Sequence, residues 1–144
     1  MIGGKPSHGL EALEGLEIGP DVWVGPNAVI MLGVNGPTKI GARSMIGGLC
    51  NIGHDSEIGE DTKILNGTII AGHVKIGPRS WVGIGCRFRE RVSVGEGSLI
   101  GMGSNVVEPI PANVIAWGNP CRVIKRREHP MKYYFRRLKR WMKR

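Results

Sequence analysis

Apolar residues recur in this chain with a period of six. From Val34 to Val106 every sixth residue is apolar, and 12 of these 13 positions are Ile or Val. The following residue is Gly in eight of the hexads, and the fifth residue is small or β-branched. An earlier run, Ile18, Val24 and Ile30, repeats the pattern in another register. We therefore expect a coil to bulge or tighten where the two runs meet, at residues 31–34.

A period of six fits neither an amphipathic helix nor simple strand alternation. It fits a chain that turns a corner every six residues, with β-branched residues in short strands and Gly at the corners. Three hexads then close one triangular coil, and coils stack about 4.8 Å apart as parallel strands. The pattern predicts an all-β fold, a left-handed parallel β-helix of about five coils over residues 18–116. A Gly-rich β-sandwich would not keep one period for so long. Residues 1–17 form an N-terminal cap segment, and residues 117–144 form a closing loop and a short basic α-helix.

The composition is consistent with a repeat and restricts the cellular location that we expect for the protein. The 23 Gly among 144 residues belong to corners, and no run of about 18 apolar residues is present to span a membrane. The first residues lack the pattern of a signal peptide. Three Cys without close pairing do not make a disulfide framework, and we expect no catalytic role for any of them. We therefore expect a cytoplasmic protein.

The net charge of +8 is unevenly distributed along the chain. Residues 122–144 hold 11 basic residues and one acid, whereas residues 1–121 hold 9 basic and 11 acidic residues. A nucleic-acid partner is not expected, because the repeats offer no basic face.

After Pro130, apolar residues recur at helical spacing among Arg and Lys, which predicts a basic amphipathic helix. Three interpretations of this helix remain open. Its apolar stripe packs on the prism end or on a neighbouring subunit, or it makes a peripheral contact with the inner face of a membrane, or it docks an acidic acyl carrier protein or CoA phosphates.

If equivalent residues of successive coils stack, four candidate site residues cluster at one corner of the prism. Gly72 then lies on His54, and His73 lies on Asp55. A corner His is suited to act as a general base, and an adjacent carboxylate orients its ring. A Gly leaves room for a ligand, and its N–H can stabilise an oxyanion. Singly, each His is explained by solvent exposure; together they indicate a catalytic site.

No metal is expected at this cluster. Some β-helix trimers hold zinc through His residues of neighbouring subunits, and those hydratases resemble this chain in Leu99–Ser104. They need three His, two of them close in sequence, whereas His54 and His73 are the only His of the repeats and lie on different coils.

Two segments carry a resemblance to a known family. The runs GHDSEIG from Gly53 and IAGHV from Ile70 resemble hexapeptide-repeat acyltransferases: sugar O- and N-acetyltransferases of the sialic acid and amino-sugar type, and the UDP-N-acetylglucosamine acyltransferase of lipid A synthesis. The runs GSLIGMGS from Gly97 and GNPCRVIK from Gly118 look like the closing signature of the acetyl-CoA-dependent members.

The resemblance implies a direct acyl transfer with roles for particular residues. His54 is the general base, Asp55 tunes it, and the Gly72 amide stabilises the oxyanion. His73 matches a substrate-contacting residue, and we assign Asn66 to the substrate as well. Donor contacts are assigned to Lys63, Ile84, Met102, Arg122 and Lys125.

Lys63 departs from the family pattern, because some members have a His there. Family members are usually trimers with each active site between two prisms, which implies a homotrimer.

The expected activity is acetyl-CoA-dependent transfer of an acetyl group to a hydroxyl or amine of a sugar or sugar nucleotide. Two alternatives remain: an acyltransferase whose donor is an acyl carrier protein, and a non-catalytic trimeric β-helix scaffold.

Overall fold

The repeat folds into short parallel strands. A computed structural model describes residues 2–4 and 15–127 of the chain. Strand β1 spans Ile2–Gly4, and the two-residue and three-residue strands that follow are separated by four-residue corners through most of the repeat. The remaining strands, in chain order, are β2 Leu16–Ile18, β3 Trp23–Val24, β4 Val29–Met31, β5 Thr38–Ile40, β6 Met45–Ile46, β7 Asn51–Ile52, β8 Glu57–Ile58, β9 Lys63–Ile64, β10 Ile69–Ile70, β11 Lys75–Ile76, β12 Trp81–Val82, β13 Arg87–Phe88, β14 Ser93–Val94, β15 Leu99–Ile100, β16 Asn105–Val106, β17 Val114–Gly118 and β18 Cys121–Arg126.

Every third strand joins the same sheet, so the chain forms a three-sided prism. Sheet 1 has the order β1-β4-β7-β10-β13-β16, sheet 2 has β2-β5-β8-β11-β14, and sheet 3 has β3-β6-β9-β12-β15-β17-β18. Within the regular region each residue pairs with its equivalent three hexads further on, as Ile52 does with Ile70 and Ile70 with Phe88. The left-handed parallel β-helix predicted from the sequence is confirmed, and β1 and β17 extend it from five coils to about six.

Two positions of each hexad fill the interior of the prism. The apolar first position is buried throughout the regular coils, as are the fifth-position Ser, Thr and Cys residues. Among the described residues, every buried side-chain polar atom has a hydrogen-bond partner. Cys50 and Cys86 are core residues, as expected, and burial raises the pKa of both thiols.

The register changes in the first coil and in the last. Ile30 pairs with Ile52, whereas a coil of three hexads would place it beside Gly48, so the first coil contains four extra residues. The bulge expected at residues 31–34 therefore exists and occupies the connection between β4 and β5. Val34, counted from the sequence as the first residue of the regular series, lies in this bulge, and Ile30 takes the equivalent core position. At the other end Val94 forms a bridge with Ile110, so the last coil is shorter than three hexads.

The prism closes with a β-hairpin where a loop was expected. Strand β18 runs antiparallel to β17, and the turn contains the cis Asn119–Pro120 peptide bond. Arg127 caps the hairpin by donating its Nη1 hydrogen to the Gly97 carbonyl at 2.9 Å. The predicted basic helix lies outside the described residues, as does most of the N-terminal segment. In the part of the chain that the structure describes, no helix has the length and apolar character needed to cross a membrane.

Candidate active site

The corner between sheets 1 and 2 brings the predicted His residues together. His54 and Asp55 lie between β7 and β8, and Gly72 and His73 occupy the same corner one coil above. The His73 N–H donates to the His54 carbonyl at 2.9 Å, which fixes the stacking of the two corners. Asp55 and His73 both adopt the left-handed conformation, with φ of 57° and 59°, because the fourth hexad position makes the turn. The predicted adjacency of these four residues is confirmed.

Asp55 is a buried carboxylate whose two oxygens have different partners. Its Oδ2 lies 2.7 Å from His54 Nδ1, and the Asp55 side chain is only 6% exposed. Its Oδ1 accepts hydrogen bonds from three consecutive amides, those of Val34, Asn35 and Gly36, at 2.8–2.9 Å. Burial by itself would raise the pKa of Asp55, but the hydrogen bonds from His54 and from these amides outweigh it and hold the pKa at about 2.

The hydrogen bond to Asp55 assigns a distinct role to each nitrogen of His54. With Asp55 ionised, Nδ1 carries the proton of that bond, so Nε2 of neutral His54 has a lone pair available to accept a proton. His73 packs edge-on against His54 with ring centroids 5.1 Å apart, and its Nε2 lies 3.6 Å from Asp55 Oδ2. Both rings are partly exposed. The arrangement can therefore remove a proton from a bound group at the surface of the prism.

Gly72 lies directly against the His54 ring. A Cβ atom at Gly72 would stand 2.7 Å from His54 Nε2 and 2.8 Å from Cε1, closer than real Cβ contacts. Only Gly allows the ring to take this position. Gly72 is buried, and among the described residues its N–H has no hydrogen-bond acceptor.

His54, Asp55 and His73 are also the one group of possible metal ligands in the described part of the chain, with ligand atoms within 4.8 Å of one another. The geometry matches hydrogen bonding better than coordination. The 2.7 Å between His54 and Asp55 is a hydrogen-bond distance, and the second Asp55 oxygen is already bound to three amides. A cation would have to displace the His54 proton. The expectation of no metal stays a prediction.

The other predicted contact residues lie elsewhere on the prism. Asn66, Ile84 and Met102 stack at the corner between sheets 3 and 1, where Asn66 Oδ1 accepts a hydrogen bond from the Gly48 amide at 3.1 Å. Lys63 projects from sheet 3, with its Nζ 5.2 Å from the centre of the Trp81 ring. Within one subunit, these residues are not brought to His54.

Arg122 and Lys125 lie on β18. The Arg122 guanidinium is 3.7 Å from the carboxylate of Glu108, which occupies the His54 corner near the top of the prism. Lys125 pairs with Ile115 across the hairpin. Their predicted contacts with the donor phosphates stay predictions.

Sequence reasoning missed the bulge as a part of the site. Its amides hold Asp55, and the Thr38 hydroxyl accepts the Asp55 N–H at 3.0 Å. The bulge also forms one wall of a 280 Å³ cavity lined by Asn35, Lys39, Asp55, His73 and Lys75, among others. The register change in the sequence indicates where the chain departs from the regular coil. It does not indicate which residue the bulge contacts.

Comparison with known proteins agrees with this architecture. Residues 37–72 match the model of the bacterial transferase hexapeptide family, described as six repeats. The matched segment contains His54, Asp55 and Gly72 and ends one residue before His73.

A curated relative from Pseudomonas paraeruginosa, an acyl-[acyl-carrier-protein]–UDP-N-acetylglucosamine O-acyltransferase, is 35% identical over 84 residues. This match covers 58% of the chain and 33% of the relative, so the chain spans about a third of the length of the curated relatives it matches.

Solved structures share the fold over most of the chain. The UDP-N-acetylglucosamine O-acyltransferase of Moraxella catarrhalis superposes with a TM-score of 0.69 and 25% identity, covering 81% of this chain and 48% of that protein. A variant of perosamine N-acetyltransferase from Caulobacter crescentus, in complex with CoA and GDP-perosamine, superposes with a TM-score of 0.61 and 23% identity. The match covers 76% of this chain and 53% of that protein. The resemblance to hexapeptide-repeat acyltransferases inferred from the sequence is confirmed.

Proposed function

We propose that this hexapeptide-repeat protein transfers an acyl group from a thioester to a hydroxyl or amine of a sugar or sugar nucleotide, with His54 as general base. The observation that carries the proposal is the hydrogen bond between His54 Nδ1 and the buried Asp55 carboxylate, with Nε2 beside Gly72. A scaffold protein would have no need of a buried carboxylate held by four hydrogen bonds against a partly exposed imidazole.

The geometry supports a direct transfer. His54 Nε2 takes the proton of the acceptor hydroxyl or amine as its oxygen or nitrogen attacks the thioester carbonyl carbon. The carbonyl oxygen becomes an oxyanion, which the Gly72 N–H stabilises. The tetrahedral intermediate then expels the thiolate, and protonated His54 returns a proton to the leaving sulfur. A general base contributes about 10²–10⁴-fold and one oxyanion donor about 10²–10³-fold.

Acetyl-CoA is the donor that we propose first. The closing run from Gly118 to Lys125 supports it through its resemblance to acetyl-CoA-dependent enzymes. An acyl carrier protein is the second candidate, and the 35% identity to an acyl-carrier-protein-dependent enzyme favours it. The basic chain end after Arg122 would suit the acidic surface of such a carrier or the phosphates of CoA.

We further propose that the active protein is a homotrimer. The corner between sheets 3 and 1 exposes apolar side chains on three coils, Leu49, Ile84 and Met102, with the exposed Asn66 on the coil between Leu49 and Ile84. We call the three apolar residues the apolar corner. Packing them around a threefold axis would remove this surface from water and bring sheet 3 of one prism, with Lys63, toward sheet 1 of the next. Donor residues absent from the His54 corner of one subunit would then come from its neighbour. A cytoplasmic location and a peripheral membrane contact of the basic helix remain part of this proposal.

A coupled screen tests the function and identifies the donor. Release of thiol is measured from acetyl-CoA and from acyl carrier protein loaded with short and long acyl chains, each with amino sugars, nucleotide sugars and glycans. We expect turnover with one donor class and a loss of at least about 100-fold in kcat for His54→Ala.

The matched control is His73→Ala, which removes the neighbouring ring and leaves the His54–Asp55 pair in place. We expect it to raise the KM for the acceptor more than it lowers kcat. Full activity of His54→Ala in an intact oligomer would refute the assignment of the base.

A further inference from the structure

The bulge at residues 32–37, which makes the first coil four residues longer than a regular one, directs three backbone amides at a single atom. The amides of Val34, Asn35 and Gly36 all donate to Oδ1 of Asp55, at 2.9, 2.8 and 2.9 Å. Such a run of converging amides is an anion-binding concavity, and here the anion is a side chain of the same molecule. The regular coils above it turn the same corner with four residues and supply no equivalent loop.

We infer that the bulge formed by residues 32–37 is a positioning element for the general base. It keeps Asp55 ionised and holds its carboxylate in one orientation. Asp55 in turn fixes the proton of His54 on Nδ1 and leaves Nε2 free. The inference rests on the proposed function for its catalytic consequence, but the positioning itself is a property of the protein without substrate.

Asp55 needs such an element because its surroundings oppose its charge. The carboxylate is almost fully buried, and desolvation of a carboxylate disfavours the ionised form. Without the amides, its partners would be His54 and the more distant His73, at 2.7 and 3.6 Å. No Lys or Arg forms an ion pair with Asp55 among the described residues. The nearest charged side chains of the adjoining cavity are those of Lys39, Glu57 and Lys75 on sheet 2. The bulge therefore supplies backbone dipoles where a cation is lacking.

The bulge also explains why the register changes at this corner. A coil of three ordinary hexads would place one more regular corner under His54 and Asp55. The bulge instead brings its amides to the Asp55 side chain, and the hydroxyl of Thr38, the first residue after the bulge, accepts the Asp55 N–H at 3.0 Å. Asp55 is thus held by its side chain and its backbone at once.

The test removes one amide hydrogen. Asn35 is exposed, and Asn35→Pro deletes its N–H donor and places the proline Cδ where that hydrogen faced Oδ1 of Asp55. Asn35→Ala is the matched control, because it removes the same side chain and keeps the N–H. The pKa of Asp55 is followed by NMR of its carboxyl carbon in the full chain. We expect Asn35→Pro to raise it by about one pH unit or more, and Asn35→Ala to leave it near 2.

Kinetics give the second readout. In Asn35→Pro we expect kcat to fall about tenfold and the KM values to stay unchanged. Asp55 remains ionised at neutral pH even with its pKa raised by one unit, so the loss of kcat comes from a carboxylate that no longer holds the His54 ring in one orientation. If both Asn35 variants behave alike, or if the Asp55 pKa stays the same in Asn35→Pro, the inference is wrong.

If Asn35→Pro does not fold, amide hydrogen exchange in a second variant, Asp55→Asn, tests the inference. Amide hydrogen exchange of Val34, Asn35 and Gly36 should accelerate at least tenfold in Asp55→Asn, whose side chain offers a weaker acceptor, while sheet 2 amides keep their rates. Unchanged exchange at these three amides would overturn the inference. Full activity of His54→Ala would instead overturn the proposed function and leave the inference about the bulge standing.

Discussion

At the scale of single residues, the position of the His54 ring depends on the absence of a side chain at Gly72. Gly72→Ala places a methyl group 2.7 Å from Nε2, and because a side-chain ring can rotate away, the fold accommodates it. We expect the ring to leave its position beside the Gly72 amide and kcat to fall about 100-fold, with little change in Tm.

Gly41→Ala is the matched control for that substitution. A Cβ there would stand 2.4 Å from the Glu60 backbone nitrogen in the next coil, and backbone cannot rotate away. We expect a loss of about 1–3 kcal/mol in the free energy of unfolding and an unchanged kcat per folded molecule. Unchanged kcat in Gly72→Ala would show that catalysis does not use this ring position.

Residue-scale adjacency could be predicted from the sequence because the repeat length fixes it. Once three hexads make a coil, His73 must lie over Asp55 and Gly72 over His54. The amides of the bulge could not be predicted, since every residue except Pro carries an N–H and side-chain identities do not reveal where it points. Val34 was misplaced for a different reason: its apolar side chain fits the six-residue period, but Ile30 takes the equivalent core position and the register changes after Ile30.

At the scale of elements, two-residue strands are too short to be stable by themselves, and side chains at the fifth hexad position help to join successive coils. Ser44 is one example. Its buried hydroxyl donates to the Gly59 carbonyl at 2.8 Å and accepts the Thr62 N–H at 3.1 Å, which links its coil to the next. Small hydroxyl residues therefore recur at this position because they satisfy corner amides and carbonyls that β-ladders do not reach.

Ser44→Ala should remove both bonds at once. The Gly59 carbonyl and the Thr62 amide would lose a partner inside the prism, so we expect the free energy of unfolding to fall by about 1–3 kcal/mol. Ser93→Ala changes an exposed Ser of β14 and should alter it by less than about 0.5 kcal/mol. Urea denaturation of both variants measures the difference. Equal stabilities would mean that the fifth-position hydroxyls do not join the coils.

The closing hairpin was beyond prediction at this scale because the six-residue period ends at Val106. Beyond that point the sequence predicts only a closing loop that contains the run from Gly118. Strand β17 continues sheet 3 by pairing Leu99 with Ile115, and β18 then folds back on it. Strands of five and six residues replace the two-residue strands here and pair with each other as a hairpin.

The whole molecule has three corners of different character. The corner between sheets 2 and 3 carries ion pairs between neighbouring coils, such as Arg43 with Asp61 at 2.7 Å and Arg79 with Glu96 at 2.7 Å. The corner between sheets 1 and 2 carries the His54 site. The third is the apolar corner. Exposed ion pairs add little stability but suit contact with water, whereas a row of exposed apolar side chains indicates a protein partner. The difference between the corners supports a trimer in which the apolar corners of the subunits meet and the His54 corner lies at the edge of the interface.

Leu49→Glu tests that arrangement. Leu49 is 68% exposed in one subunit, and a carboxylate there would be buried without a partner in the trimer, at a cost of several kcal/mol for each subunit. We expect light scattering to show monomers for Leu49→Glu and trimers for the matched control Ser93→Glu, which adds the same charge to exposed sheet 2. Because the donor residues are proposed to come from a neighbouring prism, the monomer should retain the Asp55 pKa near 2 but lose turnover. A Leu49→Glu trimer would remove the apolar corner from the interface, and a fully active monomer would show that one prism holds the complete site.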